Sequence, residues 1–508
     1  MQRILPATLV IVLLVSSCAA AAVPLRERPT RGDVANATQE ILARALQQVR
    51  EKNAAGASAT FARAFSSGGF ARLPERQRFL AWSMAAAAAA EARDYASSLD
   101  WSTRAIALSS TSATEDLWRL RLEAAYQLEN YPDSARSLVA IARQWPKALQ
   151  DLKAQAITRV LSKLDKDRAH ADVQFDLLCS LFDAGWTSDG HQPGWKWLQL
   201  ARMWLERGKP ERAAAVAVRI EYPPAIIALR VDKRYDAIPR ADSTTFDVAL
   251  ATRKYVAAVD SDALAHPRRL EYSMELQYAF ISAVQPERAL HLADDFIAKV
   301  EGNDGKSLYD DFDDYYPWIL DNRAAALWLL GRWDEAIAQA RRAARHPEHG
   351  ELNVSQALNL GGYYAMHGEA DKALDAISDL GTLSPYGRMQ RENILLLDAI
   401  QRQDRKKLDE HLDYMRLHKD DALSTYQYAL LDADRLDAAA RLLIDRLRDT
   451  DERRDALLDM QHYADAPATP LMQVRRTRWR SVIARPEVQA ALDLVGRIET
   501  FALYDMRG

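Results

Sequence analysis

The chain has 508 residues, 48% of them hydrophobic and 27% charged, with a formal net charge of -4. That length exceeds what one compact core holds, so several domains or an elongated repeat array are expected, and the apolar content excludes a disordered chain. The balanced charge removes bulk attraction to polyanions, and nucleic acid is not an expected partner.

The first residues combine a basic start at Arg3, an apolar run from Leu9 to Val15 and then small residues, the layout of a secretory signal, with a run too short to span a bilayer. Val15-Ser16-Ser17-Cys18 resembles a bacterial lipobox. The resemblance implies a signal peptide over residues 1–17, lipidation of Cys18 and, from Ala19 after it, sorting to the outer membrane. Ordinary cleavage after Ala20-Ala21-Ala22 is the alternative, and it would release a soluble periplasmic protein. Residues 18–37 then read as a lipidated start and a polar tether. The other cysteine, Cys179, lies in the apolar stretch from Phe175 to Phe182 and reads as a buried thiol.

From about residue 40 the chain repeats itself. Trp82, Tyr95 and Ala105 mark one copy and Trp118, Tyr131 and Pro146 the next, with both Trp82 to Trp118 and Tyr95 to Tyr131 spanning 36 residues. Further copies run Trp197, Leu200-Ala201, Trp204, Gly208, Ala213, and Ala357, Leu360-Gly361, Tyr364, Gly368, Ala373, Pro385. Gly331-Arg332-Trp333-Asp334-Glu335-Ala336 supplies a turn and helix start 37 residues ahead of its counterpart at Ala373, and weaker copies surround Glu287-Arg288-Ala289 and Asp434-Arg435-Leu436-Asp437-Ala438. These positions resemble the tetratricopeptide repeat. The resemblance implies an all-α fold, an α-solenoid of stacked antiparallel helix pairs winding into a superhelix. Physically, Ala336 and Ala373 suit close helix crossings, and Gly208, Gly331 and Gly368 suit left-handed helix ends.

Two arrays are expected, over 38–221 and 268–484, with an irregular joint over 222–267 and a capping segment over 485–508. In the joint, Tyr222-Pro223-Pro224 and Ile238-Pro239 read as helix breakers and Ala241-Asp242-Ser243-Thr244-Thr245 as a loop. Glu301 to Asp314 reads as an inserted polar loop before a helix starting near Pro317. The capping helix is expected from Pro486 to Tyr504, with Val488, Ala491-Leu492, Val495 and Ile498 on one face.

No constellation carries recognisable catalysis. Asp310-Asp311-Phe312-Asp313-Asp314 lacks the Gly and distal Glu of a calcium loop and reads as solvated, the alternative being an interaction surface with Tyr309, Tyr315, Tyr316 and Trp318. Gly302-Asn303-Asp304-Gly305-Lys306-Ser307 lacks the first glycine of a phosphate loop and follows no strand. His346-Pro347-Glu348-His349 offers two imidazoles but not the three or four converging ligands that zinc needs. No Gly-x-Ser-x-Gly elbow is present. Arg475-Arg476-Thr477-Arg478-Trp479-Arg480 reads as a solvated helix face, with lipid headgroups, acidic glycans or an acidic partner as alternatives. No enzyme activity, cofactor or metal is expected.

In peptide-binding members of the repeat family the first helix of each pair lines a concave groove. Carried over by register, that implies Arg119, Glu123 and Tyr126 in one unit, Arg202 in another, and Asp321 and Trp328 in a third. The Lys and Asn clamp used for C-terminal carboxylates is not in register. The expectation is an exported scaffold in the bacterial cell envelope, binding a protein or peptide in the groove and held to the membrane by its lipid. The alternative is a glycan- or nutrient-binding lipoprotein, by resemblance to the starch-capture lipoproteins, for which adjacent aromatic platforms would be the mark.

Overall fold

The computed structural model describes residues 34–188, 190–239, 244–347 and 351–505. The expected signal peptide, Cys18, the start of the tether, Ala241-Asp242-Ser243 and Glu348 with His349 lie outside the described residues. Among the described residues the fold is all-α, and β pairing is confined to isolated bridges. No described helix is long and apolar enough to cross a membrane.

Two compact units divide at Arg207 and Gly208. The first contains α1 (Val34–Arg50), α2 (Ala54–Phe65), α3 (Glu75–Glu91), α4 (Tyr95–Leu108), α5 (Glu115–Gln127), α6 (Tyr131–Gln144), α7 (Ala154–Asp165), α8 (Ala171–Asp183) and α9 (Gly194–Glu206). The second contains α10 (Pro210–Ala217), α11 (Pro223–Val231), α12 (Val248–Ala265), α13 (Leu270–Ser282), α14 (Pro286–Glu301), α15 (Gly305–Leu308), α16 (Phe312–Leu329), α17 (Trp333–Ala344), α18 (Val354–His367), α19 (Ala370–Ala376), α20 (Pro385–Gln401), α21 (Arg405–Leu417), α22 (Leu423–Asp432), α23 (Leu436–Arg448), α24 (Arg453–Asp459), α25 (Pro470–Ile483) and α26 (Pro486–Val495). Within each unit successive helices pack on one another, as a solenoid of helix pairs requires.

One turn recurs between paired helices. Its first residue is left-handed: Lys52, Arg93 and Glu129 in the first unit, and Val284, Gly331, Gly368, Gln403 and Asp434 in the second. The next residue donates its N–H to the carbonyl five positions back, as in Asp94 to Ala89 (2.8 Å), Arg332 to Leu327 (2.9 Å), Glu369 to Tyr364 (2.9 Å) and Arg435 to Leu430 (2.8 Å). That bond satisfies a carbonyl orphaned at the helix end. At Asn53, Asp94, Asn130 and Asp404 the same residue also caps the following helix through its side-chain oxygen. Two residues thus reverse the chain with few unsatisfied groups.

Three local expectations give way to specific contacts. Pro223 and Pro224, read as breakers, begin α11, because the first turn of a helix leaves its N–H groups unused. The helix expected near Pro317 starts at Phe312 and carries Pro317 inside it. Its start is fixed by Asp311, whose carboxylate accepts the Leu270 (2.8 Å) and Glu271 (3.1 Å) N–H groups at the head of α13 and pairs with Arg269 at 3.1 Å. The last helix ends at Val495, not near Tyr504. Gly496 follows, where an added Cβ would lie 2.3 Å from a Leu457 methyl and 2.9 Å from the Val231 carbonyl, so only glycine lets the chain pass.

Residues 496–505 run back as an extended tail that fastens the end of the second unit to its beginning. The N–H of Arg497 donates to the Val231 carbonyl at 2.9 Å and that of Tyr504 to the Ser282 carbonyl at 3.0 Å. Glu499 pairs with Arg230 and Arg497 with Asp236, both at 2.6 Å. On its other edge the tail exchanges backbone bonds with the segment after α24: His462 donates to the Glu499 carbonyl (3.0 Å) and Phe501 to that of His462 (2.8 Å).

Candidate binding chamber

The tail, α25 and the inner helices of the second unit line a half-open chamber of about 1990 Å³. One wall is built from the first helices of successive pairs, α13, α16, α18, α20 and α22, with Tyr255 of α12 at its edge. The second helices α14, α17, α19, α21 and α23 contribute nothing to the lining. This follows from the pairing: each second helix buries its apolar stripe against its neighbours, as Ala336, Ala340 and Ala343 do on α17. Gly361 permits one close crossing, since a Cβ there would meet Ile377 at 2.8 Å.

The opposite wall is α25 and residues 459–466. The arginine run that reads as a solvated face is largely engaged within the unit. Arg475 holds Asp432 (Nε to Oδ1, 2.8 Å), and Arg478 donates to the Leu431 (2.9 Å) and Asp432 (2.7 Å) carbonyls, occupying the C-terminal end of α22. Arg476 donates to the Ala466 carbonyl at 2.7 Å, and Thr469 caps α25 while its hydroxyl donates to the Met366 carbonyl at 2.8 Å. Beneath the wall, buried Arg446 and Asp459 pair at 2.8 Å.

Aromatic and amide side chains dominate the inner lining. Trp318 and Trp328 come from α16, Tyr363 from α18, Tyr386 from the head of α20 and Tyr428 from α22, with Tyr463 and Trp479 facing from the other wall. The rings of Trp328 and Tyr363 lie 4.9 Å apart at an interplanar angle of 51°. Asn322 and Asn359 occupy the same position in consecutive repeats, each nine residues before a left-handed glycine (Gly331 and Gly368), and Asn393 follows on α20. Asp321 lies deep in the lining. Its Oδ2 accepts from Asn359 Nδ2 at 3.1 Å, and burial pushes its carboxyl up to about 6 while the Asn359 hydrogen bond pulls it down. Burial, with the nearby Asp321 charge, likewise raises the Tyr363 phenol well above its ordinary value.

Of the residues carried over by register, Asp321 and Trp328 line this chamber. The others belong to the first unit. Arg119 is buried and pairs with Glu115 (2.8 Å) and Asp151 (2.7 Å), Glu123 accepts from Gln127 (2.8 Å), and Tyr126 packs edge-on against Tyr131 beneath Arg159. Arg202 pairs with Glu206 at 2.8 Å on the same helix. Register alone did not point to Asn322, Asn359, Tyr363 or Tyr386. For Asn322 and Asn359 the signal in the sequence is an amide nine residues before a left-handed glycine, whereas Tyr363 and Tyr386 recur at no common offset from the turns.

The acidic run around Asp311 serves the fold: Asp310 pairs with Arg268 (2.7 Å) and Asp313 with Lys306 (2.7 Å). The Cys179 thiol is pushed up to about 11 by burial and the nearby Asp183 and Asp176 charges, which makes it a poor nucleophile at neutral pH. Among the described residues no three His, Cys, Asp or Glu side chains gather to hold a metal ion.

No protein-family model matches the chain. No curated protein matches it either. Among solved structures, the hetero-tetramer of Cut9 and Hcn1 from the APC/C aligns at 12% identity over 95% of this chain and 98% of that one, with a TM-score of 0.28. Naa15/Naa10 bound to HypK-THB aligns at 13% identity over 80% of this chain and 62% of that one, with a TM-score of 0.23. A circular tandem repeat protein with a novel repeat topology aligns at 12% identity over 90% of each chain, with a TM-score of 0.11. Scores this low lend no weight to any particular function.

Proposed function

We propose that the chain is a non-enzymatic, protein-binding scaffold of the bacterial cell envelope, and that its second unit takes an extended polypeptide segment of a partner into the chamber. The chamber's lining carries this reading. An extended backbone presents an N–H and a carbonyl at each residue, and an amide side chain can meet both, so Asn322, Asn359 and Asn393 on the first helices of three successive pairs suit such a ligand. Trp318, Trp328, Tyr363 and Tyr386 offer broad surfaces to its side chains. The volume of about 1990 Å³ exceeds the usual range of small-molecule pockets, roughly 300–1,000 Å³.

The envelope setting is supported by the leader, with its short apolar run and Cys18 in a lipobox-like sequence, and lipidation of Cys18 would tether the scaffold at the outer membrane, facing the periplasm. The glycan-binding alternative is favoured by the same aromatic side chains. Against it, the 51° tilt between Trp328 and Tyr363 prevents the pair from forming one flat platform.

A photo-crosslinking side chain introduced at Tyr386, which is exposed in the chamber lining, tests the reading in cells, with Lys406 on the exposed face of α21 as the control position. Crosslinks to a defined polypeptide from position 386 and not from 406 are expected. Absence of protein crosslinks, together with oligosaccharide retained on the purified chain, would replace this reading with the glycan one. Fractionation of a Cys18→Ala chain tests the tether: it is expected to leave the membrane fraction, and unchanged membrane association would remove the lipid anchor from the account.

A further inference from the structure

Asp321 differs from the other deep carboxylates of the second unit. Asp459 has Arg446 at 2.8 Å, Asp311 has Arg269 at 3.1 Å, Glu499 has Arg230 at 2.6 Å, and Asp432 has Arg475. Asp321 pairs with no cation among the described residues. Its one hydrogen bond is the amide of Asn359, and its Oδ1 is buried without a partner. A carboxylate can accept several more bonds, and leaving them unmade away from bulk water is costly.

The surroundings share this bias. The lining contributed by α12, α13, α16, α18 and α20 contains Glu275 and Asp321 but no lysine or arginine. The arginines of the lining, Arg475, Arg476 and Arg480, all lie on α25; Asp432 holds Arg475 and the Ala466 carbonyl holds Arg476, while Arg480 is exposed on the opposite wall, 3.7 Å from Asp465. On α16, Trp318 and Trp328 flank Asp321 on the same face, and Tyr363 meets Trp328 from α18. Aromatic faces beside an unpaired carboxylate form a cation-attracting corner.

We propose that this corner is a cation subsite, in which Asp321, backed by Asn359 and walled by Trp328 and Tyr363, takes the lysine or arginine side chain of the bound polypeptide. The inference rests on the chamber reading and adds its specificity. The cation supplies the charge partner that the fold withholds from Asp321, and the rings cover the aliphatic stem that leads to it.

The test uses the full chain and four libraries of end-capped nonapeptides, degenerate except for a fixed central lysine, arginine, norleucine or glutamate, with binding followed by calorimetry. The lysine and arginine libraries are expected to bind on the order of tenfold more tightly than norleucine, the gain typical of a hydrogen bond to a charged group. Asp321→Asn is expected to abolish that preference and leave norleucine binding unchanged, whereas Asp321→Glu retains a preference; circular dichroism establishes that each variant is folded. Equal affinity for lysine and norleucine in the native chain, or a preference that survives Asp321→Asn, overturns the subsite and leaves the chamber reading intact. Failure of all four libraries to bind overturns both.

Discussion

Arg119 in the first unit and Asp321 in the second each lie on the first helix of a helix pair, and their surroundings differ. Arg119 is closed in by Glu115, Asp151 and the Ala148 carbonyl, the last at 3.1 Å. Nearby α3 buries Ala85, Ala86, Ala87, Ala88 and Ala89, small side chains that let neighbouring helices approach closely. Asp321 instead meets one amide and an open lumen. In the second unit α25 and the tail are laid across the inner helices and pinned there by Arg475, Arg478, Glu499 and Arg497, which encloses space instead of filling it. The lesson is that register identifies the helix that faces inward, while the segments laid against that helix decide whether its face becomes core or binding surface.

Substitutions on both sides of this contrast should separate fold from site. The largest effect is expected from Arg446→Ala, which strands the buried Asp459 beneath the chamber wall and should cost about 3–5 kcal/mol in urea unfolding. Asp321→Asn should act in the opposite direction. The folded carboxyl, raised to about 6 from 3.8, holds its proton more tightly than the unfolded chain does, so the native chain pays no penalty below about pH 4 and the full penalty above pH 6. Removing the charge should therefore stabilise the unliganded protein above pH 6 by on the order of 2 kcal/mol, after allowance for water in the lumen, with the gain vanishing as pH falls to 4. A loss of stability there would show that Asp321 serves the fold.

Arg119→Ala should destabilise the first unit by about 1.5 kcal/mol through lost packing and the bond to Ala148, with nonapeptide binding unchanged. Reduced binding would show that the contrast between the two units is drawn in the wrong place. The smallest effect is expected at Val284, a β-branched residue at φ 60° in the recurring turn. Val284→Gly should raise stability by about 0.5–1 kcal/mol, since relief of the left-handed strain outweighs the added freedom of the unfolded chain.

The helix pairs were legible in the sequence where the left-handed turn residue is glycine, at Gly331 and Gly368. Around Arg93 and Glu129 the 36-residue spacing of Trp and Tyr made them legible without glycine, and they were faint where Lys52, Gln403 or Asp434 holds the same backbone, because the hydrogen-bonded turn sustains the conformation without the residue that advertises it. Register points to Trp328 and Asp321 as residues of an inner helix face, and both line the chamber. The chamber itself could not be found in this way, because its closure depends on partners far apart in the chain, such as Arg230 with Glu499 and Arg475 with Asp432. Read locally, arginines at helical spacing suggest solvation; only the approach of the α22 carboxyl end gives them another role. Gly496 was equally silent, since its value lies in the closeness of Leu457 and Val231.

A polypeptide that binds inside the chamber must be displaced when the lumen is filled. Gly362 lines the lumen on α18, and a Cβ added there would meet no atom within 4 Å, so the side chain of Gly362→Trp starts in open space at the lumen. With folding verified by an unchanged unfolding midpoint, binding of the central-lysine nonapeptide library is predicted to weaken by tenfold or more. Affinity equal to that of the native chain would place the ligand elsewhere on the molecule.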